Sequence, residues 1–326
     1  MAHFRRPAAS RHLVLLPEQP AALLLAQATL ADLRRRYPNR PLDVMAPAAL
    51  APLASRFVEV DEVLNQPDPG MSWKTFWRAG IDLQGRGYTH AWVLPDRFKP
   101  ALIPAIANIP ERTGYRGRYR YSLLIDIRLP RKDLHPHLLD RYRALAWDIT
   151  DPLPELGAQD LRVDLAQQAR LIQQFNLPQD RPLLALCPGS LQQPAGSAAS
   201  QLPLKDWVPL LQQLDQQGWQ TLLFASRHDQ LIADELMTLA QGQLEHPMIN
   251  LAGQLGWDQV VDVMALTRFA WCRDNALALV AALKSLPVRL PSLPGSSQKP
   301  PLGASLGVEW CDSLSLVEQT STYALV

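Results

Sequence analysis

Short apolar runs alternate with stretches of helical period along the whole chain. Leu13–Leu16, Leu42–Ala46, Ala91–Leu94, Leu183–Cys187, Thr221–Phe224 and Phe269–Cys272 are apolar almost throughout, the pattern of strands covered on both faces. Ala21–Arg36, Leu204–Gln217, Gln230–Gln241, Trp257–Leu266 and Ala276–Leu283 read as helices between them. Strands separated by helices predict βαβ units, hence parallel sheets and an α/β fold. The alternation weakens between Asp148 and Gln159, where Asp151-Pro152-Leu153-Pro154 and Gly157 form a polar, proline-rich interval. A domain boundary belongs there or slightly later, and we set it at 165/166. Two Rossmann-like domains follow, residues 1–165 and 166–326, with the carboxyl ends of their parallel strands facing an interdomain cleft that would hold a ligand.

A chain of 326 residues suffices for two such domains, and 47% hydrophobic against 19% charged residues gives each a core to bury. Lys and Arg (32) nearly balance Asp and Glu (31), and a net charge of +1 argues against a chain-wide nucleic-acid binder. Proline (29) outnumbers glycine (16), so glycine-built phosphate cradles are scarce. Cys187, Cys272 and Cys311 are odd in number and far apart, which suits neither a disulfide framework nor a CxxC metal site. Arg5, Arg6 and Arg11 precede Leu13–Leu16, but Pro17 and Pro20 end the apolar run too soon for an export signal or a membrane span. The expectation is a soluble cytoplasmic protein with no metal and no cofactor.

Few segments suggest chemistry. Gly85-Arg86-Gly87 precedes a strand, whereas a dinucleotide fingerprint follows one, so it reads as a turn. His135-Pro136-His137 has no further ligands at metal spacing and reads as a surface loop. Cys187-Pro188-Gly189-Ser190 breaks a strand end and leads to the helix at Leu204, which suits either an anionic ligand or an ordinary β–α loop. From Asp96 to Lys132 nine basic residues face three acids. That surplus fits recognition of carboxylate or phosphate groups, or a solvated basic face. Asp274-Asn275 follows the strand Phe269–Cys272 and could simply cap the next helix.

Other stretches carry a resemblance. Leu42-Asp43-Val44-Met45-Ala46-Pro47, Val93-Leu94-Pro95 with Phe98-Lys99, Arg112-Thr113-Gly114-Tyr115-Arg116-Gly117, Arg120-Tyr121, Arg141-Tyr142, Cys187-Pro188-Gly189 and Asn250-Leu251-Ala252-Gly253 occur in one order across both halves. In these the chain resembles glycosyltransferase family nine, the ADP-heptose:lipopolysaccharide heptosyltransferases, and within it the heptosyltransferase II branch. The resemblance implies a GT-B fold, an N-terminal acceptor domain and a C-terminal domain that grips an ADP-sugar. It also implies inverting transfer of heptose to the acidic inner core of lipopolysaccharide. Acceptor contacts implied are Lys99, Arg112, Arg116 and Arg120.

The departures from the family pattern cluster where the chemistry is. The Gly-Asp pair that opens the first helix, with the Asp resembling the general base, is here Ala21 and Ala22. A methyl group takes no proton from an attacking hydroxyl. The family's phosphate Lys is Ser200, which leaves the departing diphosphate without that cation. In the Asp-Ser-Gly…His motif only Asp274 remains; the other positions are Asn275, Ala276 and Leu279. Donor contacts are therefore expected to be vestigial, at Gly189, Ser190, Ser200, Asp229, Asp274 and Asn275, and no catalytic residue is assigned. The leading expectation is a degenerate transferase kept as a binding or regulatory module. One alternative is an active glycosyltransferase with a changed donor or another base, such as Glu18. A second is a structural partner of an active transferase. Expected partners are a weakly held nucleotide sugar such as ADP-heptose, and the acidic lipopolysaccharide core or an active transferase. Nucleic acid is not expected, and contact with the inner membrane would be peripheral, at its inner face.

Overall fold

The computed structural model describes residues 10–189, 202–273, 276–292 and 303–323, apart from the side chains of Ser313 and Leu314. The chain divides into two compact units, Met1–Gln159 and Asp160–Val326. This division lies slightly ahead of 165/166, because the intervening residues bond into the second unit. Lys284 Nζ donates to Asp160 (2.6 Å), and the backbone N–H of Asp164 donates to Asp262 (2.8 Å).

The first unit runs β1 (Arg11–Leu15), α1 (Pro20–Arg36), β2 (Leu42–Pro47), α2 (Ala51–Ala54), β3 (Glu62–Gln66) and α3 (Trp73–Asp82). It continues with β4 (Tyr88–Val93), α4 (Phe98–Ile106), β5 (Glu111–Tyr115), β6 (Asp126–Arg128) and α5 (Leu138–Ala144). Its strands pair in parallel in the order β3-β2-β1-β4-β5-β6. The second unit runs α6 (Leu165–Gln174), β7 (Leu183–Cys187), α7 (Trp207–Asp215), β8 (Gln220–Leu223), α8 (Gln230–Ala240) and β9 (Ile249–Asn250). Then follow α9 (Trp257–Met264), β10 (Phe269–Cys272), α10 (Ala276–Leu283), β11 (Val288–Ser292), β12 (Val308–Asp312) and α11 (Ser313–Ser321). Its sheet is also parallel, ordered β12-β11-β10-β7-β8-β9.

Each sheet reverses its strand order once. The reversal lies between β1 and β4 in the first unit and between β7 and β10 in the second. Loops leaving the carboxyl ends of the strands at such a point diverge to opposite faces and open a crevice. These two crevices are therefore where ligand chemistry is to be sought.

Two elements differ in detail from the expected spans. The helix expected over Leu204–Gln217 begins as a 3₁₀ turn, Leu204–Asp206, and becomes α-helical only at Trp207. Pro209, in the first turn of α7, lacks an N–H where none is needed. The strand expected at Ala91 starts at Tyr88, whose ring is buried and whose hydroxyl donates to Asp43 (2.7 Å).

Trp92, Trp207, Trp219 and Trp271 are buried in the cores, and three of their indole N–H groups reach acceptors: Leu145 O, Leu202 O and Thr320 Oγ1. At the amino-terminal side of the first sheet, His90 stacks on Trp92 with ring centroids 3.6 Å apart, and His12 meets the same ring edge-on. Burial lowers both imidazoles to about 4, with Arg34 and Arg40 adding to the effect at His12. At His90, His12, Arg128 and Arg36 reinforce burial while Asp126 opposes it. Both rings are thus neutral in the folded state at neutral pH. The unfolded chain protonates them first, so the stability from neutral burial is complete above about pH 6.5 and is lost as pH falls through about 4. Thermal melts should show the first unit losing on the order of a few kcal/mol across that window. His90→Phe, which keeps the stack and cannot titrate, should flatten the slope; an unchanged slope would contradict the assignment.

Candidate functional site

In the first unit the crevice between β1 and β4 is a cavity of about 440 Å³. The loop after β1 and the first turn of α1 supply Pro17, Glu18, Gln19 and Ala22, and the loop after β4 supplies Leu94–Arg97. Tyr115, Arg116, Lys132, Arg141 and Tyr142 close the far wall. Four cations, Arg97, Arg116, Lys132 and Arg141, thus share one cavity with two acids, Glu18 and Asp96. Such a wall suits an anionic, hydroxyl-rich ligand.

A buried arginine shapes this wall. Arg120 is 1% exposed and donates Nη1 to the Pro95 carbonyl (2.8 Å), while its Nε and Nη2 have no partner. Burial lowers it to about 10. A side chain at Gly114 would come within 3.0 Å of Arg120 Nη2, and one at Gly117 within 2.3 Å of the Asp96 carbonyl oxygen and 2.8 Å of Arg120 Cδ. Only bare backbone allows the strand end and the arginine to approach so closely. That packing carries Tyr115 and Arg116 onto the cavity.

Of the four acceptor residues expected from sequence, Arg116 lines the cavity, its guanidinium also standing 5.2 Å from the Tyr121 ring centroid. The other three engage main chain. Lys99 Nζ donates to the carbonyls of Pro69 (3.0 Å) and Met71 (2.7 Å), and Arg112 donates to those of Leu123 and Ile109. Arg120 gives one N–H to the Pro95 carbonyl. Arg97 and Lys132, from the basic surplus of residues 96–132, also line the cavity, as does Arg141 of a family-like stretch, whose Nη1 donates to the carbonyls of His135 (3.0 Å) and Pro136 (2.6 Å). Sequence counts such cations without saying which of them a carbonyl already engages.

Ala22 sits in the first turn of α1 and presents a methyl group to the cavity. One turn earlier, Glu18 Oε2 lies 3.1 Å from Arg97 Nη1, and Glu18 Oε1 is buried with no hydrogen-bond partner. Burial raises the Glu18 carboxyl above its ordinary range. Asp96 and Asp68 add to that, and Arg97 and Lys99 act against it. Glu18 thus lines the same cavity as Ala22, with a carboxyl that holds its proton more readily than an ordinary one and one oxygen buried without a partner.

In the second unit, the expected donor residues Ser190, Ser200, Asp274 and Asn275 lie outside the described residues. Gly189, two residues after β7, has φ +86, and a side chain there would come within 2.6 Å of Arg273 Cδ. Arg273, at the end of β10, donates Nη2 to the Leu202 carbonyl (3.3 Å); its Nε is buried without a partner, and burial lowers its pKa. A cation thus stands at the strand-order reversal of this sheet. The sequence reading did not single it out, although its place between a strand and Asp274 was visible. Asp229 follows β8 and accepts from the Ser226 hydroxyl (2.6 Å). Leu279, at the position of the family's His, is fully buried and packs against Gly303, so that position belongs to the apolar core. All three cysteines are buried. Among the described residues no helix is long and apolar enough to cross a membrane.

Comparison with known proteins agrees with this architecture. Residues 76–290 match the profile of glycosyltransferase family 9 (heptosyltransferase). The chain is 36% identical over 285 residues to lipopolysaccharide heptosyltransferase 2 of Salmonella typhimurium, covering 85% of this chain and 80% of that protein. It is 32% identical over 302 residues to lipooligosaccharide heptosyltransferase 2 of Haemophilus ducreyi, covering 89% and 85%. In structure it superposes on E. coli ADP-heptose LPS heptosyltransferase II with a TM-score of 0.83 at 30% identity, over 97% of this chain and 98% of that one. The two parallel-sheet units thus have a GT-B-like fold, and the chain belongs to glycosyltransferase family 9, the heptosyltransferases.

Proposed function

We propose that this is a heptosyltransferase-family protein of lipopolysaccharide core biosynthesis that holds an acidic core acceptor in its first unit and transfers sugar at most slowly. The observation that carries this reading is Ala22. The cavity around it carries four cations, Arg97, Arg116, Lys132 and Arg141, while the group at the position the family resemblance gives to the base is a methyl. Binding survives such a loss and proton removal does not, because general-base catalysis contributes about 10²–10⁴-fold. The buried Leu279 extends the same reading to the donor side, since no polar contact with a sugar nucleotide can come from a core leucine. The protein would then serve as a binding or regulatory module, alone or beside an active transferase. It would work at the cytoplasmic face of the inner membrane.

The test is turnover of the purified chain with ADP-heptose and an acidic core acceptor. It is expected to fall at least about a hundredfold below an ordinary rate of roughly 1 s⁻¹. Calorimetry should still find acceptor binding. Turnover at the ordinary rate would overturn the reading.

One observation favours a second reading, in which the chain is an inverting transferase whose base has moved. Glu18 lines the same cavity, its Oε1 has no hydrogen-bond partner, and its raised pKa makes it a stronger base than an ordinary carboxylate. Arg273 would then stand in for the phosphate lysine. Under this reading the rate rises with pH through a pKa above 4.5, as Glu18 loses its proton.

A further inference from the structure

Between Met71 and Ile81 the chain leaves four large apolar side chains in solvent: Met71 (43% exposed), Trp73 (54%), Trp77 (43%) and Ile81 (48%). Trp73, Trp77 and Ile81 belong to α3 and recur at every fourth position, so they form one stripe along the helix. The neighbouring arc carries Lys74 and Arg78, both exposed and without an acidic partner among the described residues. Asp82, at the last position, is the only acid of the helix. The side that the fold uses is a different one: Phe76 and Gly80 are buried, and a side chain at Gly80 would come within 2.6 Å of Ile106 of α4. α3 therefore has one apolar side packed and a second left in water.

The chemistry of that second side selects its partner. The two indoles meet edge to face, 6.1 Å apart, and tryptophan favours a boundary where its ring is covered and its N–H stays wet. Lysine is depleted at the centre of protein interfaces. Tryptophan and isoleucine flanked by Lys and Arg instead fit a helix lying in a lipid headgroup layer, with the cationic stems over apolar surface and the charges among phosphates. The stripe also adjoins the cationic cavity. Lys99 ties the segment ahead of α3 to the start of α4 through the Pro69 and Met71 carbonyls. Phe98 beside it is 39% exposed, and Arg97 lines the cavity.

We propose that α3 is the surface by which this protein lies on an anionic bilayer. Met71, Trp73, Trp77 and Ile81 enter the boundary between headgroups and acyl chains, and Lys74 and Arg78 meet lipid phosphates. Ten residues make a helix about 15 Å long, which lies in the membrane surface and does not span it. The inference rests on the proposed place at the inner membrane and names the face that meets it; it does not depend on sugar transfer.

The test sediments the full chain with vesicles of phosphatidylethanolamine and phosphatidylglycerol, and with vesicles of phosphatidylcholine alone. Binding should be about 10- to 30-fold tighter to the anionic vesicles, and Lys74→Gln with Arg78→Gln should remove that preference. Trp73→Ser with Trp77→Ser changes two exposed rings and should weaken binding to both vesicles by at least about tenfold. Brominated acyl chains should quench the fluorescence of the natural chain. Trp73→Phe with Trp77→Phe should keep the binding and lose most of the quenching, because Trp92, Trp207, Trp219 and Trp271 are buried.

Failure to sediment with anionic vesicles overturns the proposal. So does binding that survives the serine pair, because another surface then meets the lipid. A dimer in the ultracentrifuge that the serine pair dissociates, without vesicle binding, gives the stripe to a second copy and overturns it as well. Calorimetry with an acidic core acceptor separates this from the cavity: acceptor binding without vesicle binding sinks the membrane helix alone, and vesicle binding without acceptor binding sinks the acceptor reading alone.

Discussion

Ala22→Asp is expected to raise the rate of sugar transfer by about 10²- to 10⁴-fold over the natural chain, the contribution of one well-placed general base. Position 22 is suited to a carboxylate. It lies in the first turn of α1, after Pro20 at the first helical position and with no acid elsewhere in that turn. A negative charge there meets free backbone N–H groups and the positive end of the helix dipole, which keep it ionised at neutral pH. Arg97 and Arg116 line the same cavity and would keep the substitution from leaving an uncompensated charge.

The companion variant is Glu18→Gln. If transfer is impaired for want of a base, Glu18→Gln changes little in the natural chain and Ala22→Asp restores rate. If Glu18 is the base, the natural chain already turns over, Glu18→Gln removes about 10²–10⁴-fold, and Ala22→Asp adds nothing. Should neither variant move a negligible rate, the donor side is the block, and Ser200→Lys becomes the next restoration. Leu279→His is a poor choice, because burying an imidazole in the core would cost stability before it could contact a ligand.

Arg143→Ala should destabilise the first unit by about 3 kcal/mol, near the lower end for breaking a buried ion pair. Arg143 of α5 donates Nε to Asp32 of α1 (2.8 Å) and Nη2 to the Pro154 carbonyl (2.7 Å), and both charged side chains are only 4% exposed. Truncation leaves Asp32 buried with Arg35 as its remaining partner, at 2.7 Å. Arg35→Ala, by contrast, removes a side chain 47% exposed and should cost no more than about 1 kcal/mol. Replacing Asp32 and Arg143 together by leucine should recover most of the loss, since an apolar pair needs no charge compensation. Urea melts of the three variants would check this. A loss at Arg143 no larger than at Arg35 would mean that the pair does not hold α5 to α1.

How well an element could be read from sequence follows its burial. β7 and β10 are covered on both faces and form unbroken apolar runs, and β1 and β2 are nearly so, interrupted only by Arg11, His12 and Asp43. β3 (Glu62-Val63-Leu64-Asn65-Gln66) and β6 (Asp126-Ile127-Arg128) are edge strands with one open side, and their polar residues hide the pattern. α4 escaped notice because Pro100 and Pro104 interrupt it; Pro104 lies inside the helix, where proline argues against helix. The candidate site divides in the same way. Arg116 was legible as one of a row of cations, whereas Lys99, Arg112 and Arg120 differ from it only in the carbonyls they meet.

The sequence by itself determined the α/β class, the two parallel-sheet units and the family, and it put an alanine, Ala22, where the family resemblance implies a carboxylate. Each of these is a property of residue order, set by local periodicity or by matching one position at a time. Tertiary structure alone decided that Glu18 shares a cavity with Ala22 and that Arg273 packs over Gly189. It also decided that three of the four expected acceptor cations bond to main chain. The physical reason is that a charge's role depends on what is buried beside it, and those neighbours come from strands and loops far apart in the chain.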